Sequence, residues 1–384
     1  MPSWAGGKER EMSIGKEGSG PGLHGGNRWA AARFYGYEPA EILDFSANIN
    51  PLGLPASVRR VLANNLEAVT WYPDPEANEV KDEISQQTGI PRDYVLVGNG
   101  GAELIYLLAS AFEPARAVVP APTFSEYELA VKSRPGGVAR RFLLPERDFC
   151  LDVGAFIAYL RREEAANQFN LVFLCNPNNP TGALVRRSDV LAIADYCATR
   201  GMTLVVDESF MDFVVDSSQY SVVTDVLSRP NLMVLKSLTK FYALPGLRLG
   251  YLLAEPVFGQ RLRRLQVPWS VNVLAQMAGV AALRDQEYAR QTKAWLVAER
   301  AYLSKSLADL GLRVYEPAAN FILVGLEPTG PTSTEVWRLM AERRILVRDC
   351  RTFFGLNPYF LRLAVRTRSE NERLIQALGE VLSR

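Results

Sequence analysis

Short apolar runs rich in β-branched residues alternate with amphipathic helical patterns from about residue 70 onward, and this alternation limits the folds open to the chain. A strand that is apolar on both faces must be covered on both faces, as in a parallel sheet between two helical layers. The runs predict seven strands, over 94–97, 117–119, 141–144, 171–174, 203–206, 232–235 and 248–253. We therefore predict an α/β fold with a mostly parallel seven-stranded sheet and helices on both faces.

The pattern changes after about residue 260, where long helical stretches precede three short strands. The elements predicted outside the large sheet are a short extended run over 42–46, helices over 261–283 and 285–310 with a break near Pro268, and strands over 320–323, 345–347 and 361–364. The first residues are rich in Gly, Lys and Glu, which is typical of a disordered tail. We divide the chain into a tail at 1–20, an N-terminal arm at 21–50, a large domain at 51–260 and a smaller α+β domain at 261–384.

The composition argues against several classes of function. A formal net charge of +1 leaves no basic excess for nucleic acid or a membrane surface, and no apolar run reaches the roughly 18 residues of a membrane span. His24 is the only histidine, which argues against a metal site and against Ser-His or Cys-His catalysis. The four scattered cysteines form no CxxC pair and predict reduced thiols in a cytoplasmic protein.

A lysine that follows the sixth predicted strand gives the strongest chemical signal. Residues 236–240 read Lys-Ser-Leu-Thr-Lys, and Arg248 lies eight residues after Lys240. A desolvated lysine can lose its proton and form a Schiff base with an aldehyde. Ser237 and the guanidinium fork of Arg248 suit a phosphate dianion. The stretch therefore predicts an aldehyde-binding lysine beside a phosphate site.

Three further stretches lie where predicted strands end. Residues 176–182, Asn-Pro-Asn-Asn-Pro-Thr-Gly, form a rigid turn at the carboxyl edge of the sheet, where ligands of α/β proteins bind. Asp207 follows an apolar run, so its carboxylate either caps a helix or needs a partner such as a protonated pyridine nitrogen. Residues 98–103, Gly-Asn-Gly-Gly-Ala-Glu, join a strand to a helix and can present backbone N–H groups to an anion.

Together, and in this order, the four stretches resemble those of fold-type I pyridoxal-phosphate enzymes. The resemblance runs from about residue 22 to the C-terminus. It implies the fold-type I transferase fold, pyridoxal 5'-phosphate as cofactor, and a homodimer with shared sites. It also implies Lys240 as the Schiff-base lysine and Asp207 as the partner of the pyridinium nitrogen. The other cofactor positions that it implies are Asn179 at the ring 3-oxygen, Phe124 stacked on the ring, Gly101, Ala102, Ser237 and Arg248 around the phosphate, and Tyr72 at the phosphate of the neighbouring subunit.

Within this superfamily the chain is similar to histidinol-phosphate aminotransferases and to L-threonine-O-3-phosphate decarboxylases. His-Gly-Gly-Asn at 24–27 resembles the N-terminal arm that caps the substrate in the decarboxylases, and residues 43–53, 240–248 and 267–272 are close to decarboxylase signatures. The aminotransferases typically carry a tyrosine three residues after the aspartate, where this chain has Phe210. These features favour decarboxylation of O-phospho-L-threonine to (R)-1-amino-2-propanol phosphate for cobalamin biosynthesis.

The same resemblance implies a small substrate that carries both a carboxylate and a phosphate. Arg362 matches the arginine that binds the carboxylate, and Arg348 matches a ligand of the phosphate. The further substrate contacts that it implies are His24, Gly25, Asn48 and Asn179. Binding both ends of the substrate would orient the bond to its carboxylate for cleavage.

Two other functions remain open at this stage. A histidinol-phosphate aminotransferase would share nearly every cofactor residue, and only Phe210 and the His24 arm argue against it. A non-enzymatic regulator built on the same domain is disfavoured because Lys240, Asp207 and Arg248 are all retained. The motifs do not separate threonine phosphate from serine phosphate, since one methyl group is worth only about 1–3 kcal/mol of discrimination.

Overall fold

The computed structural model describes residues 24–383, apart from the side chain of Ala165. The predicted tail at 1–20 and the first residues of the predicted arm lie outside the described residues. The strands are β1 (Leu43–Asp44), β2 (Val95–Gly98), β3 (Arg116–Ala121), β4 (Val138–Leu143), β5 (Leu171–Cys175), β6 (Thr203–Asp207), β7 (Leu232–Ser237), β8 (Gly250–Leu253), β9 (Arg313–Val314), β10 (Phe321–Gly325), β11 (Ile345–Leu346), β12 (Arg348–Asp349) and β13 (Phe360–Ala364).

Helices alternate with the strands through most of the chain. They are α1 (Arg28–Tyr35), α2 (Ala56–Asn64), α3 (Asn78–Thr88), α4 (Gly100–Ser110), α5 (Glu126–Lys132), α6 (Val153–Asn167), α7 (Arg187–Thr199), α8 (Leu238–Phe241), α9 (Pro256–Leu265), α10 (Val273–Arg284), α11 (Gln286–Asp309), α12 (Ser333–Ala341) and α13 (Arg368–Leu382). Within the described chain, no helix combines the length and the apolar character that crossing a membrane requires.

The large sheet has seven strands in the order β2-β8-β7-β6-β5-β3-β4. Strand β8 is antiparallel to both of its neighbours, whereas the remaining neighbours pair in parallel. Each of the seven predicted strands overlaps one of these strands, and the predicted α/β fold with a mostly parallel sheet is confirmed.

Successive residues of the central strands contribute to two separate hydrophobic clusters, which shows that both faces of the sheet are covered. In β5, Val172 and Leu174 belong to one cluster, while Leu171 and Phe173 belong to the other. Side chains alternate between the two faces of a strand, so the near-continuous apolar runs in the sequence reflect burial on both sides. Helix α7 adds to the first cluster, and helices α4 and α5 add to the second.

The C-terminal part of the chain forms a smaller antiparallel sheet, in the order β12-β13-β10-β9. The extended run in the arm becomes β1, and it pairs in parallel with β11, Leu43 opposite Ile345. The arm is therefore joined by backbone hydrogen bonds to a strand near the other end of the chain. The division of the chain at residues 50 and 260 stays a prediction.

A substitution at Gly250 tests how closely the large sheet approaches α4. A Cβ at this position would lie 2.9 Å from the carbonyl oxygen of Lys236 and 3.0 Å from the backbone nitrogen of Gly101. Because both neighbours are backbone atoms, Gly250→Ala should force α4 away from β8, and we expect a loss of about 1–3 kcal/mol of unfolding free energy. The change would be measured as a lower midpoint of urea unfolding.

Gly246→Ala is the matched control, because a Cβ there meets no atom within 4 Å. It should leave the midpoint within the roughly 0.5 kcal/mol typical of surface changes. Equal effects of the two substitutions would contradict the close approach of α4 to β8.

Candidate active site

A cleft of about 1160 Å³ lies where β5, β6 and β7 end. The carboxyl ends of neighbouring parallel strands form the usual ligand-binding edge of an α/β sheet. Most of the residues singled out in the sequence line this cleft, namely His24, Gly25, Asn48, Ala102, Phe124, Asn179, Asp207, Lys240, Arg248, Arg348 and Arg362. Residues that are far apart in the sequence thus face one volume.

Gly101 and Ser237 lie beside the cleft rather than in its lining. Gly250 of β8 pairs with Ser237 of β7 on one side and with Gly98 of β2 on the other. Because α4 begins two residues after Gly98, Ser237 lies close to the start of α4. Ser237 also caps α8, because its hydroxyl accepts from the backbone N–H of Thr239. The backbone N–H groups at the start of α4 and the Ser237 hydroxyl are donors that suit an anion.

Arg248 adds a positive charge beside these donors. Its backbone has a φ of 61°, a left-handed conformation that is uncommon for a residue with a side chain and that often marks a functional position. Its Nη2 lies only 2.6 Å from the position that a Cβ on Gly100 would occupy. Glycine at that position therefore lets the guanidinium lie directly against the start of α4.

Tyr72 does not line the cleft of its own chain. Its side chain is 80% exposed, and its ring lies 4.8 Å from the ring of Trp269. A single chain does not test the expectation that Tyr72 reaches a neighbouring subunit, so that assignment stays a prediction.

Lys240 projects into the cleft from α8, and its Nζ lies 2.9 Å from Oγ1 of Thr239. Burial lowers the pKa of Lys240 to about 8, and the positive charges of Arg248 and Arg362 act in the same direction, while Asp207 opposes them. A lysine amine becomes nucleophilic when it loses its proton, so this environment favours attack on a carbonyl group.

Asp207, at the end of β6, is held by two donors. Tyr127 donates its hydroxyl proton to Oδ2 at 2.6 Å, and the backbone N–H of Ser209 donates to Oδ1 at 2.9 Å. The carboxylate does not cap a helix, because the next helical turn begins at Met211 with Phe210 as its N-cap. Sequence analysis assigned no role to Tyr127, which is fully buried and lies three residues after Phe124.

Arg348 and Arg362 are register neighbours on the antiparallel strands β12 and β13. Both side chains are buried, with exposures of 3% and 6%, and both residues line the cleft. Burial lowers the pKa of Arg348, and it lowers the pKa of Arg362 to about 10. Like charges directly opposite each other destabilise a strand pair, so this arrangement points to an anion that lies between or beside them.

Each of the two guanidinium groups is fixed by polar contacts. Arg362 donates to Oδ1 of Asn179 and, at 2.7 Å, to the carbonyl oxygen of Ser46. Arg348 donates to Oγ1 of Thr352 at 2.7 Å and lies 5.1 Å from the centre of the Phe353 ring. The sequence interpretation did not assign Ser46 a role.

Buried polar atoms without a partner remain in the lining of the cleft. Among the described residues, these atoms include Nε of Arg362, Oδ1 of Asn48 and Nε of Arg366. A buried polar group without a partner costs about 1–3 kcal/mol, so these atoms favour a polar ligand. Arg366, for which the sequence predicted no role, lines the cleft while it donates to Glu370 at 2.7 Å.

Two aromatic residues considered in the sequence analysis line the cleft, and their roles toward a ligand stay predictions. Phe124 lines the cleft and lies 5.9 Å from the ring of His24. Phe210 also lines the cleft and packs edge-on against Phe321 at 5.0 Å. The wall at Phe210 therefore offers no hydroxyl group to a ligand.

The amine of Lys240 gives a pH-dependent prediction. In protein freed of any bound aldehyde, the neutral amine is the reactive form, so its rate of acetylation by acetic anhydride should rise with pH through about 8. An ordinary lysine would show a midpoint near about 10.4. The rate would be followed residue by residue by mass spectrometry, and a midpoint at the ordinary value would contradict the influence of burial and of Arg248.

Lys236 is the matched control, since it lies four residues earlier and is also buried. Burial lowers the pKa of Lys236. Negative groups raise it by a larger amount, chiefly the carboxylate of Asp212, whose Oδ1 is 2.7 Å from Nζ of Lys236, so the net shift is upward. Lys236 should therefore stay unlabelled across the pH range in which Lys240 reacts.

Comparisons with known proteins show the family to which the chain belongs. The family model for aminotransferase class I and II matches residues 40–378. The chain is 40% identical over 362 residues to a threonine-phosphate decarboxylase of Salmonella typhimurium, with 94% of this chain and 96% of that protein covered. It is 38% identical over 356 residues to a histidinol-phosphate aminotransferase of Desulfitobacterium hafniense, with 90% and 94% covered.

The solved structures place the fold in the same group. The crystal structure of the histidinol-phosphate aminotransferase from Clostridium acetobutylicum superimposes with a TM-score of 0.82 at 29% identity, covering 89% of this chain and 99% of that chain. The resemblance to fold-type I enzymes is thereby confirmed, and the chain belongs to the class I and II aminotransferase family.

Proposed function

We propose that this protein is a pyridoxal-phosphate-dependent decarboxylase that converts O-phospho-L-threonine to (R)-1-amino-2-propanol phosphate for cobalamin biosynthesis. The observation that carries the proposal is the buried pair Arg348 and Arg362, placed opposite each other in the wall of the cleft. A substrate with a carboxylate at one end and a phosphate at the other would neutralise both. The 40% identity to a threonine-phosphate decarboxylase supports the same substrate.

The residues of the cleft fit pyridoxal 5'-phosphate. The start of α4, with Gly101 and Ala102, together with Ser237 and Arg248, provides the donors and the positive charge that a phosphate group requires. Asp207 offers a fixed carboxylate, and Lys240 offers an amine of lowered pKa. When bound, the cofactor supplies an aldehyde for an amine and a ring that withdraws electrons from the α-carbon of an amino acid.

We assign to the chain's own residues the task of choosing which bond breaks. Arg362 would hold the substrate carboxylate, and its contact with Asn179 fixes the direction of the guanidinium group. Asn179 would then keep its amide N–H groups for the ring oxygen of the cofactor. Arg348 would hold the phosphate, and the two anchors together would fix the direction of the bond between the α-carbon and the carboxylate, which is the bond to be broken.

The polar surroundings of Asp207 serve the same chemistry. Tyr127 and the backbone of Ser209 each donate to one carboxylate oxygen, so the group is oriented before any ligand arrives. Such preorganised charge costs no rearrangement during the reaction. Lys240, whose Nζ lies beside the Thr239 hydroxyl, is the group placed to accept and return protons on its side of the cleft.

The second candidate function is that of a histidinol-phosphate aminotransferase. The 38% identity to such an enzyme favours it, and Arg348 would bind its phosphorylated substrate equally well. Phe210 argues against it, because an apolar ring occupies the position from which those enzymes typically offer a tyrosine hydroxyl.

We also propose that the enzyme works as a cytoplasmic homodimer. The side chains of Trp71, Tyr72 and Trp269 are 67%, 80% and 48% exposed, and exposed aromatic surface of this kind is typical of an interface. In the dimer, Tyr72 would lie at the cofactor phosphate of the partner subunit. All four cysteines are free, in keeping with a reducing compartment.

The experiment that tests the function is an assay of the purified holoenzyme with O-phospho-L-threonine. We expect release of carbon dioxide and one equivalent of the phosphorylated amine. With histidinol phosphate and 2-oxoglutarate we expect no glutamate. Glutamate formation without release of carbon dioxide would establish the aminotransferase instead.

The role of Arg348 leads to a further prediction. Arg348→Met should lower kcat/KM for O-phospho-L-threonine by about 10- to 100-fold, the worth of a charge-assisted hydrogen bond of about 1.5–3 kcal/mol. Any reaction of L-threonine, which carries no phosphate, should be unchanged. Circular dichroism of the ligand-free variant would check that it folds.

Arg351→Ala is the control, since Arg351 lies three residues away with a side chain that is 52% exposed and does not line the cleft. A similar loss in both variants would show that overall positive charge, and not Arg348 itself, binds the phosphate.

A further inference from the structure

The first described residues of the N-terminal arm, 24–26, form its tip, and two polar contacts hold this tip in place. At the first, the backbone N–H of Gly26 donates to the hydroxyl of Ser46 at 2.8 Å, and Gly25 lies so close that a Cβ would be 2.1 Å from the Ser46 carbonyl oxygen. At the second, Nε2 of His24 lies 2.7 Å from Oε1 of Glu126. The tip of the arm therefore lies between Ser46 and Glu126 at the start of α5.

Glu126 is well placed to serve as the second anchor. It is the first residue of α5, lines the cleft, and its side chain is only 13% exposed. The hydroxyl of Tyr106 donates to its other oxygen at 3.1 Å. The hydrogen bond from His24 lowers the pKa of Glu126, against the effect of burial, and Tyr106 adds to the lowering. The carboxylate is thus held from two sides by different donors.

A carboxylate at this place is unexpected in a cleft that binds a phosphorylated substrate, because two anions repel each other across a low-dielectric space. A hydrogen-bond donor between them removes the conflict. A histidine that carries a proton on both ring nitrogens has two N–H donors, and with Nε2 of His24 directed to Glu126, Nδ1 is left for a second acceptor.

We propose that Glu126 is a positioning residue that docks the tip of the arm through His24 and thereby directs Nδ1 of His24 to the substrate phosphate. This inference rests on the proposed function in one respect, namely that the substrate carries a phosphate group. Glu126 itself does not touch the substrate.

The first anchor links the docked arm to the other end of the substrate site. The carbonyl oxygen of Ser46 accepts from Arg362 at 2.7 Å, while the Ser46 hydroxyl donates to Asp44 at 2.6 Å and accepts from Gly26. Ser46 thus contacts both the tip of the arm and the arginine assigned to the carboxylate. The docked tip is consequently fixed relative to Arg362.

The test compares Glu126→Ala with His24→Ala and with the double variant. Each single substitution should raise the KM for O-phospho-L-threonine by about 10-fold and change kcat by less than about 2-fold, since only substrate binding is affected. In the double variant we expect no further rise beyond that of His24→Ala, because Glu126 acts through His24. Multiplied effects would overturn the proposal.

Two related variants sharpen the comparison. Glu126→Gln retains a hydrogen-bond acceptor without the charge and should give an intermediate KM. Glu128→Gln is the matched control on the same helix, because Glu128 pairs with Arg141 and Lys132 and not with His24. Its KM should equal that of the wild type. The visible absorbance of the Lys240-bound cofactor should be unchanged in every variant, as a check on folding.

A second measurement follows the arm without any turnover. In the holoenzyme, trypsin should cleave after Arg28 several-fold faster in Glu126→Ala and in His24→Ala than in the wild type, with the sites identified by mass spectrometry. Unchanged cleavage combined with a raised KM would mean that Glu126 acts on the substrate directly and would overturn arm docking. If the wild type failed to decarboxylate O-phospho-L-threonine, the proposed function would fail, while the trypsin comparison would still decide whether Glu126 docks the arm.

Discussion

The parallel alignment of β5, β6 and β7 is the constraint on which the whole site depends. Cys175 is the register neighbour of Asp207, and Asp207 is the register neighbour of Leu235, so the three strands end almost level. Strands lie about 4.8 Å apart, which places the turn after Cys175, the carboxylate of Asp207 and the segment leading to Lys240 side by side. A slip of one residue in β6 would turn Asp207 to the opposite face of the sheet.

The same site places three cationic side chains in buried surroundings that disfavour their charge. Burial lowers the pKa values of Lys240, Arg348 and Arg362, which means that each cation is less favourable there than in water. Anions that enter the cleft would favour the charged forms of all three groups. The buried positive charges of the site are therefore suited to binding anionic ligands.

The sequence predicted the large sheet and the chemical residues because both leave local signals. Apolar runs mark β5 and β6, and the residues that follow them stand out as polar. The pairing of β1 with β11 and the direct opposition of Arg348 to Arg362 could not be predicted, because they depend on contacts between distant segments that have no shared pattern. The contacts of Tyr127 and Glu126 were missed for a related reason. Both residues lie within three positions of Phe124, but only the folded chain shows which partners they meet.

The contact between Ser46 and Arg362 has a consequence for the synthesis of the protein. These residues are separated by 316 positions in the chain, and ribosomes add roughly 5–20 residues per second. The segment that carries Ser46 therefore leaves the ribosome about 15–60 s before its arginine partner exists. The large sheet can form during that interval, but the substrate end of the cleft can be completed only after translation has almost finished.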